Sequence, residues 1–161
     1  MLLTDKDINS ILNFWFPNDN YNTFWFDKSV DEIIYKNYFH LLHDSYNTIV
    51  EKDFDFCYEE LLALIILFDQ FSRNINRIVN INVTEFTYEA RKLSLQCIKN
   101  KYYLNKKMNH ICFILMPLRH LNKLNDYYLL LAILNEIEDN NNIIFTKFKN
   151  QTLRKFDLLK D

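Results

Sequence analysis

The side chains best able to do chemistry stand in two short strings. Asp69, Gln70, Arg73 and Asn74 lie together in Leu67-Phe68-Asp69-Gln70-Phe71-Ser72-Arg73-Asn74-Ile75, while Arg119 and His120 follow Pro117. On a helix Asp69 and Arg73 are four apart and face each other, with Gln70 and Asn74 in a parallel row one position on. The guanidinium of Arg73 has the fork geometry to hold a carboxylate or phosphate, and the two amides can orient it. Trp15 or Trp25 supplies an apolar wall. The expected ligand-binding set is therefore Trp15, Trp25, Asp69, Gln70, Arg73, Asn74 and His120. An enzymatic version makes His120 a general base and Asp69 its orienting partner, although no nucleophile stands at a recognisable elbow.

The same residues also read as a polar clasp that closes helix ends. Ion pairs and caps serve packing more often than chemistry, and Asn74 can end a helix where glycine is lacking. Packing or simple binding predicts Asp69 paired with Arg73 and His120 hydrogen-bonded to backbone. Catalysis requires His120 to line an open cleft within reach of a carboxylate.

Other constellations carry less. His40 and His43 with Asp44 have no third and fourth metal ligand at motif spacing, so no metal or other cofactor is expected. His110 reads as a surface residue at a helix start. The doublets Phe14-Trp15-Phe16 and Phe24-Trp25-Phe26 resemble a base-stacking platform, yet helical aromatics beside caps belong more often to a core. Cys57, Cys97 and Cys112 have no close spacing and an odd count, which suits reduced, buried thiols.

The elements that must position these residues read as helices almost throughout. Ile8, Ile11, Leu12, Trp15 and Phe16 follow helical spacing behind a Thr4/Asp7 capping box, and the segment stops before Pro17. Ser29 with Glu32 repeats that signature ahead of a second helix reaching Ile49. A third helix, apolar all round from Leu61 to Phe68, belongs at the centre. A fourth runs from Thr84 to about Asn100, a fifth from Asn105 to about Pro117, a sixth from Asp126 to Glu138, and a seventh from the Asn140–Asn142 break to near Leu159. The expected fold is all-α: about seven helices in stacked antiparallel hairpins, forming one domain over residues 1–161. In such a stack the first, third and fifth helices run parallel, and their C-terminal ends bring the two polar strings together.

Composition narrows the classes. The chain has 161 residues, 49% hydrophobic and 25% charged, enough for one packed core. It has no glycine, which excludes phosphate-cradling loops and dinucleotide fingerprints. Scarce glycine and proline beside abundant Asn, Ile, Lys, Phe and Tyr suggest an AT-rich genome. A net charge of −2 argues against a nucleic-acid partner. No apolar run is long enough to cross a membrane and the N-terminus lacks a signal-peptide pattern, so a cytoplasmic location is expected. An oligomer would show as an apolar patch on the sixth or seventh helix.

Specific strings then point further. Ile11-Leu12-Asn13-Phe14-Trp15-Phe16, Trp25-Phe26, the string from Leu67 to Ile75, and Phe113-Ile114-Leu115-Met116-Pro117-Leu118-Arg119-His120 together resemble the domain of unknown function 924 family, in order from about Ile8 to His120. The resemblance implies a helical fold similar to tetratricopeptide repeats, in a right-handed superhelix or bundle, and no established activity. Where that family usually has Glu before the motif histidine and Ser-Glu after it, this chain has Arg119 and then Leu121-Asn122. A family-typical Gly-Arg-Phe-Pro-His-Arg-Asn string is replaced by something like Lys147-Phe148-Lys149-Asn150-Gln151, so a site completed by that string in relatives is incomplete here. The reading is a helical binding or scaffold domain for a small anionic molecule or peptide. The alternative is a small hydrolase-like or transferase-like enzyme using His120.

Overall fold

Thr4 starts the first helix by accepting from the Asp7 amide at 3.2 Å while its own amide donates to the Asp7 carboxylate at 3.0 Å, the reciprocal capping box read from the sequence. The computed structural model describes residues 2–161 and is all-helical. In chain order the helices are α1 (Asp5–Trp15), α2 (Asp31–Ile49), α3 (Tyr58–Ile65), α4 (Ser72–Asn76), α5 (Val83–Lys99), α6 (Met108–His120), α7 (Leu124–Glu136) and α8 (Ile143–Lys160). A 3-10 turn (Thr23–Phe26) precedes α2, and a π-helical segment (Ile66–Phe71) joins α3 to α4 without a break, so the eight α-helices make seven rods.

The π segment falls where the two halves of the central rod change register. The Ser72 amide reaches back five residues to the Leu67 carbonyl, and the Ser72 hydroxyl takes up the Phe68 carbonyl at 2.6 Å. The rod is central, as its all-round apolar sequence predicts: every side chain from Leu61 to Phe68 is completely buried. Against it pack α1, α2, α5 and α6, and α6 in turn carries α7 and α8.

Contacts at both ends fix the direction of three rods. The amides of Leu2 and Leu3, just ahead of α1, donate to Glu60 near the start of α3, at 2.8 and 3.3 Å. Trp15, ending α1, meets Phe71 edge-on at 5.6 Å. Likewise His110 near the start of α6 bonds Tyr58 at 3.0 Å, and His120 at its end bonds Asp69 at 2.7 Å. Hence α1, the central rod and α6 run parallel, the arrangement on which convergence of the polar strings depends. The start of α2 meets the end of the rod through Asp31 and Asn74, so α2 runs against it.

Several local expectations need correction. The Ser29/Glu32 box does not form: Ser29 instead donates its amide and hydroxyl to Asp27 in an Asx turn, and α2 starts after Val30 with no side-chain cap. Asn74 is not a terminator, because it is buried inside α4 and its amide has a long-range carboxylate partner, Asp31. Asparagine does replace glycine at two other breaks, Asn105 (φ 60°) and Asn122 (φ 54°), and Lys101 (φ 54°) does so without that advantage. Pro117 lies within α6, which continues to His120. Cys57 is exposed at the start of α3, unlike Cys97 and Cys112, whose thiols burial pushes up to about 12.

Candidate functional site

A cavity of about 210 Å³ opens where the ends of the central rod and α6 meet the 3-10 turn and α8. Its lining takes Gln70, Arg73, Asn74 and Arg77 from the rod, Met116, Arg119 and His120 from α6, Trp25 and Phe26 from the turn, and Gln151 from α8. Five of the seven residues expected to bind a ligand therefore line the same cavity: Trp25, Gln70, Arg73, Asn74 and His120.

Asp69 and Trp15 lie behind that wall. Asp69 is completely buried, and its carboxylate accepts from Gln70 Nε2 at 2.7 Å and from His120 Nδ1 at 2.7 Å, with Arg73 at 3.6 Å. Trp15 is also completely buried, so it is not a wall of the cavity. It acts through its carbonyl, which accepts from Trp25 Nε1 at 2.8 Å and so fixes the indole that does face the cavity. The aromatic doublets form a core of edge-on rings around Trp15, with Phe24, Phe71 and Phe113 each 5.6 Å away.

The bond to Asp69 settles the tautomer of His120. Burial opposes ionisation of Asp69, but His120, Arg73 and Gln70 together more than offset it and hold the carboxyl below the usual carboxylate range. An ionised carboxylate only accepts, so Nδ1 of His120 carries the proton and Nε2 is the basic nitrogen. Burial pulls the imidazole below its ordinary value against the pull of Asp69, and Arg73 and Arg119 add to the lowering. His120 is thus a neutral base at pH 7, bonded to a carboxylate and not to backbone.

Arg119 is the residue whose importance the sequence understates. It is 4% exposed, and among the described residues it has no carboxylate within ion-pair distance. Its guanidinium finds weak partners: Met116 Sδ at 2.8 Å, Thr152 Oγ1 at 3.4 Å, the Phe148 carbonyl at 3.5 Å, and the face of the Phe148 ring at 4.7 Å. Its Nε has no acceptor, nor has the buried Nε of Arg73. Burial holds the Arg119 pKa below the usual arginine value, as an unpaired interior cation requires. Arg77, which the sequence reading passes over, is by contrast neutralised. It grips Asp31 in two bonds of 2.7 and 2.6 Å, and Asn74 adds a third at 2.8 Å.

The C-terminal segment that stands in place of the family-typical string reaches the cavity. Gln151 closes the cavity, and Lys147 and Phe148 line an apolar slot beside it with Tyr21, Phe113 and Ile144. Elsewhere, His43 packs edge-on to Phe39 and Phe86, and among the described residues no three His, Cys, Asp or Glu side chains are grouped to hold a metal. His110 is half-buried, not superficial: its ring lies 4.4 Å from that of Phe16, tilted by 44°, and burial lowers its pKa to about 4. Among the described residues no helix is long and apolar enough to cross a membrane.

The model of a family described as "Bacterial protein of unknown function (DUF924)" matches residues 11–157, which extends the likeness into α8, past the point the sequence motifs reach. No curated protein and no solved structure compared with the chain matches it.

Proposed function

Since the chain belongs to the domain of unknown function 924 family, and that description carries no activity, we propose a function from the chain's own geometry: it binds a small molecule through an anionic group held at Arg119 and Arg73. The observation that carries this reading is the Arg119 guanidinium, buried, facing a cavity, and lacking both a carboxylate partner and an acceptor for Nε. Leaving a charge in that state is costly, and replacing such a group by an apolar one is often neutral or stabilising. A ligand oxyanion supplies the missing partner in a charge-assisted, two-pronged contact. Gln70 and Asn74 line the same cavity and orient the ligand, and Trp25 with Phe26 forms its apolar side.

A second reading is favoured by one specific contact, the 2.7 Å bond between His120 and Asp69. A neutral histidine with Nδ1 anchored to a buried carboxylate is arranged to take a proton on Nε2. None of the residues lining the cavity is Ser, Thr or Cys, so the group activated is a water or a ligand hydroxyl. Binding by Arg119 is common to both readings, and proton transfer is the addition.

Titration with inorganic phosphate, read by the imidazole resonances of His120 and by melting temperature, tests the binding reading. Millimolar phosphate is expected to shift those resonances and to raise the melting temperature by mass action in the wild type, with neither effect in Arg119→Met. Unmoved resonances and an unchanged melting temperature in the wild type would overturn it.

A further inference from the structure

The polar atoms on the cavity wall are not equally committed. Asp69 and Asp31 are buried carboxylates that only accept, so Gln70 must turn its amide nitrogen to Asp69, at 2.7 Å, and Asn74 its own to Asp31, at 2.8 Å. Each amide oxygen is thereby turned away from the carboxylate, and among the described residues neither Gln70 Oε1 nor Asn74 Oδ1 meets a donor. His120 repeats the pattern, with Nδ1 taken by Asp69 and Nε2 without a donor. The buried side-chain atoms that lack a partner are Trp15 Nε1, Arg73 Nε and Arg119 Nε, so the three idle acceptors are reached by solvent although Gln70 and Asn74 are only 6% and 3% exposed. All three residues line the cavity.

Charge sets the other half of the match. Arg73 lies 3.6 Å from Asp69 and Arg77 grips Asp31, which leaves Arg119 as the one guanidinium of the lining without a carboxylate within ion-pair distance. A single negative charge balances it, and a carboxylate brings that charge in the planar form the guanidinium fork fits, whereas a phosphate monoester near neutral pH brings more. An ammonium would add positive charge among three guanidiniums, so neutral hydroxyls are the better donors to the idle acceptors. Gln70 and Asn74 stand about one helical turn apart, with His120 across from them on α6, so those hydroxyls must be spread over several carbons. The cavity, about 210 Å³, is smaller than the roughly 300 Å³ at which sites for drug-sized ligands begin, which suits a single small unit.

We propose that the ligand is a polyhydroxylated monocarboxylate of the sugar-acid type, its carboxylate held at Arg119 and Arg73 and its hydroxyls donating to Gln70 Oε1, Asn74 Oδ1 and His120 Nε2. The assignment rests on the anion-binding reading above and adds to it the class of ligand. It also gives the two amides a definite task, since each is locked by a buried carboxylate with its accepting end free.

Calorimetric titrations of the full chain with gluconate, hexanoate, norleucine and sorbitol, with inorganic phosphate as the reference anion, test the proposal, and the side-chain nitrogen resonances of Gln70, Asn74 and His120 are followed in parallel. Gluconate and hexanoate share charge and carbon number and differ in their hydroxyls, norleucine adds an ammonium, and sorbitol lacks the anion. Gluconate is expected to bind about tenfold or more tighter than hexanoate, with norleucine no better than hexanoate and sorbitol not bound. The three sets of nitrogen resonances should move further with gluconate than with hexanoate. Gluconate no tighter than hexanoate, while hexanoate or phosphate still binds, overturns the hydroxyl assignment and leaves anion binding intact. Norleucine equal to gluconate overturns the neutral donors. Sorbitol equal to gluconate, or failure of every anion including phosphate, removes the underlying reading and this inference with it.

Discussion

Nδ1 of His120 lies 2.7 Å from Oδ1 of Asp69, a residue 51 positions earlier in the chain and completely buried. Two rods contribute one residue each, and the bond exists because the central rod and α6 run parallel in a register that sets the end of α6 beside the π segment of the rod. It makes Asp69 the hub of the polar cluster, with Gln70 and Arg73 as its other partners. Replacing it isosterically, Asp69→Asn, leaves His120 facing an amide and removes the carboxylate that pairs with Arg73. A loss of about 2 to 4 kcal/mol at pH 7 is expected, measured by urea unfolding. The loss should shrink as pH falls through the folded pKa of the carboxyl, which lies below the ordinary carboxylate value, since a lowered carboxyl pKa stabilises above the unfolded value and ceases to do so once the folded carboxyl is protonated.

The tautomer is a prediction in its own right. At pH 7 the nitrogen resonances of His120 should report a protonated Nδ1 and an unprotonated Nε2, and the ring should stay neutral as the pH falls through 6.5, because burial, Arg73 and Arg119 all oppose protonation. A ring that titrates like a solvated histidine, or carries its proton on Nε2, contradicts both the bond to Asp69 and the proton-transfer reading.

His110 gives the fold a separate dependence on acid. Its folded pKa, about 4, lies below the ordinary 6.5, so the unfolded chain binds more protons between those values and stability falls as pH drops through that window. The contribution is about 2 to 3 kcal/mol once discounted for partial exposure. His110→Gln keeps a partner for the Tyr58 hydroxyl and removes the titration, so its unfolding free energy should change less than the wild type's between pH 7 and about pH 4.5. Parallel curves for the two proteins would exclude His110 as the source.

Between α5 and α7 the fold depends on one fork. Arg91 donates to Asp126 in two bonds, 2.6 and 2.8 Å, and the carboxylate is 4% exposed while the arginine is only partly covered. Asp126→Ala strands the guanidinium and removes the negative charge from the first turn of α7, for an expected cost of about 2 kcal/mol, whereas Arg91→Lys keeps the charge but loses the fork and should cost about half of that. Equal melting temperatures for both variants and the wild type would show the pair to be incidental.

How far the sequence reaches can be traced in these same residues. The apolar period marks all seven rods, and the central one is recognisable because Leu61 to Phe68 offers no polar face. The Asp69–Arg73 pair is legible as a helical spacing, and its meeting with His120 follows once the odd-numbered rods are taken as parallel. What escapes is whatever depends on a distant partner or on backbone register. Nothing local in Ile66–Phe71 announces a π turn. Ser29 has an ordinary capping spacing and loses it to Asp27 nearby, while Asn74 has the look of a terminator and is claimed by Asp31, 43 residues away. Trp15 and Trp25 are equivalent as letters, and only packing puts one behind the wall and the other on it. Gln151 and Arg77 look like surface residues because their helix faces meet a cavity instead of a core.

Arg119 separates stability from function most sharply. Its side chain is buried beside Met116, Phe148 and Thr152, with weak polar contacts and no counter-ion, so the folded protein bears a desolvation cost that its packing does not recover. Met has nearly the length to occupy the same path without the charge. Arg119→Met should therefore leave unfolding free energy unchanged or raise it by about 1 kcal/mol, while removing the phosphate-dependent rise in melting temperature. Arg73→Ala should behave differently, since that side chain is 35% exposed and pairs with Asp69: a loss of about 1 kcal/mol together with weakened phosphate binding. If instead Arg119→Met destabilises the protein by several kcal/mol, the guanidinium is a clasp between α6 and α8, and the cavity it faces is a by-product of packing.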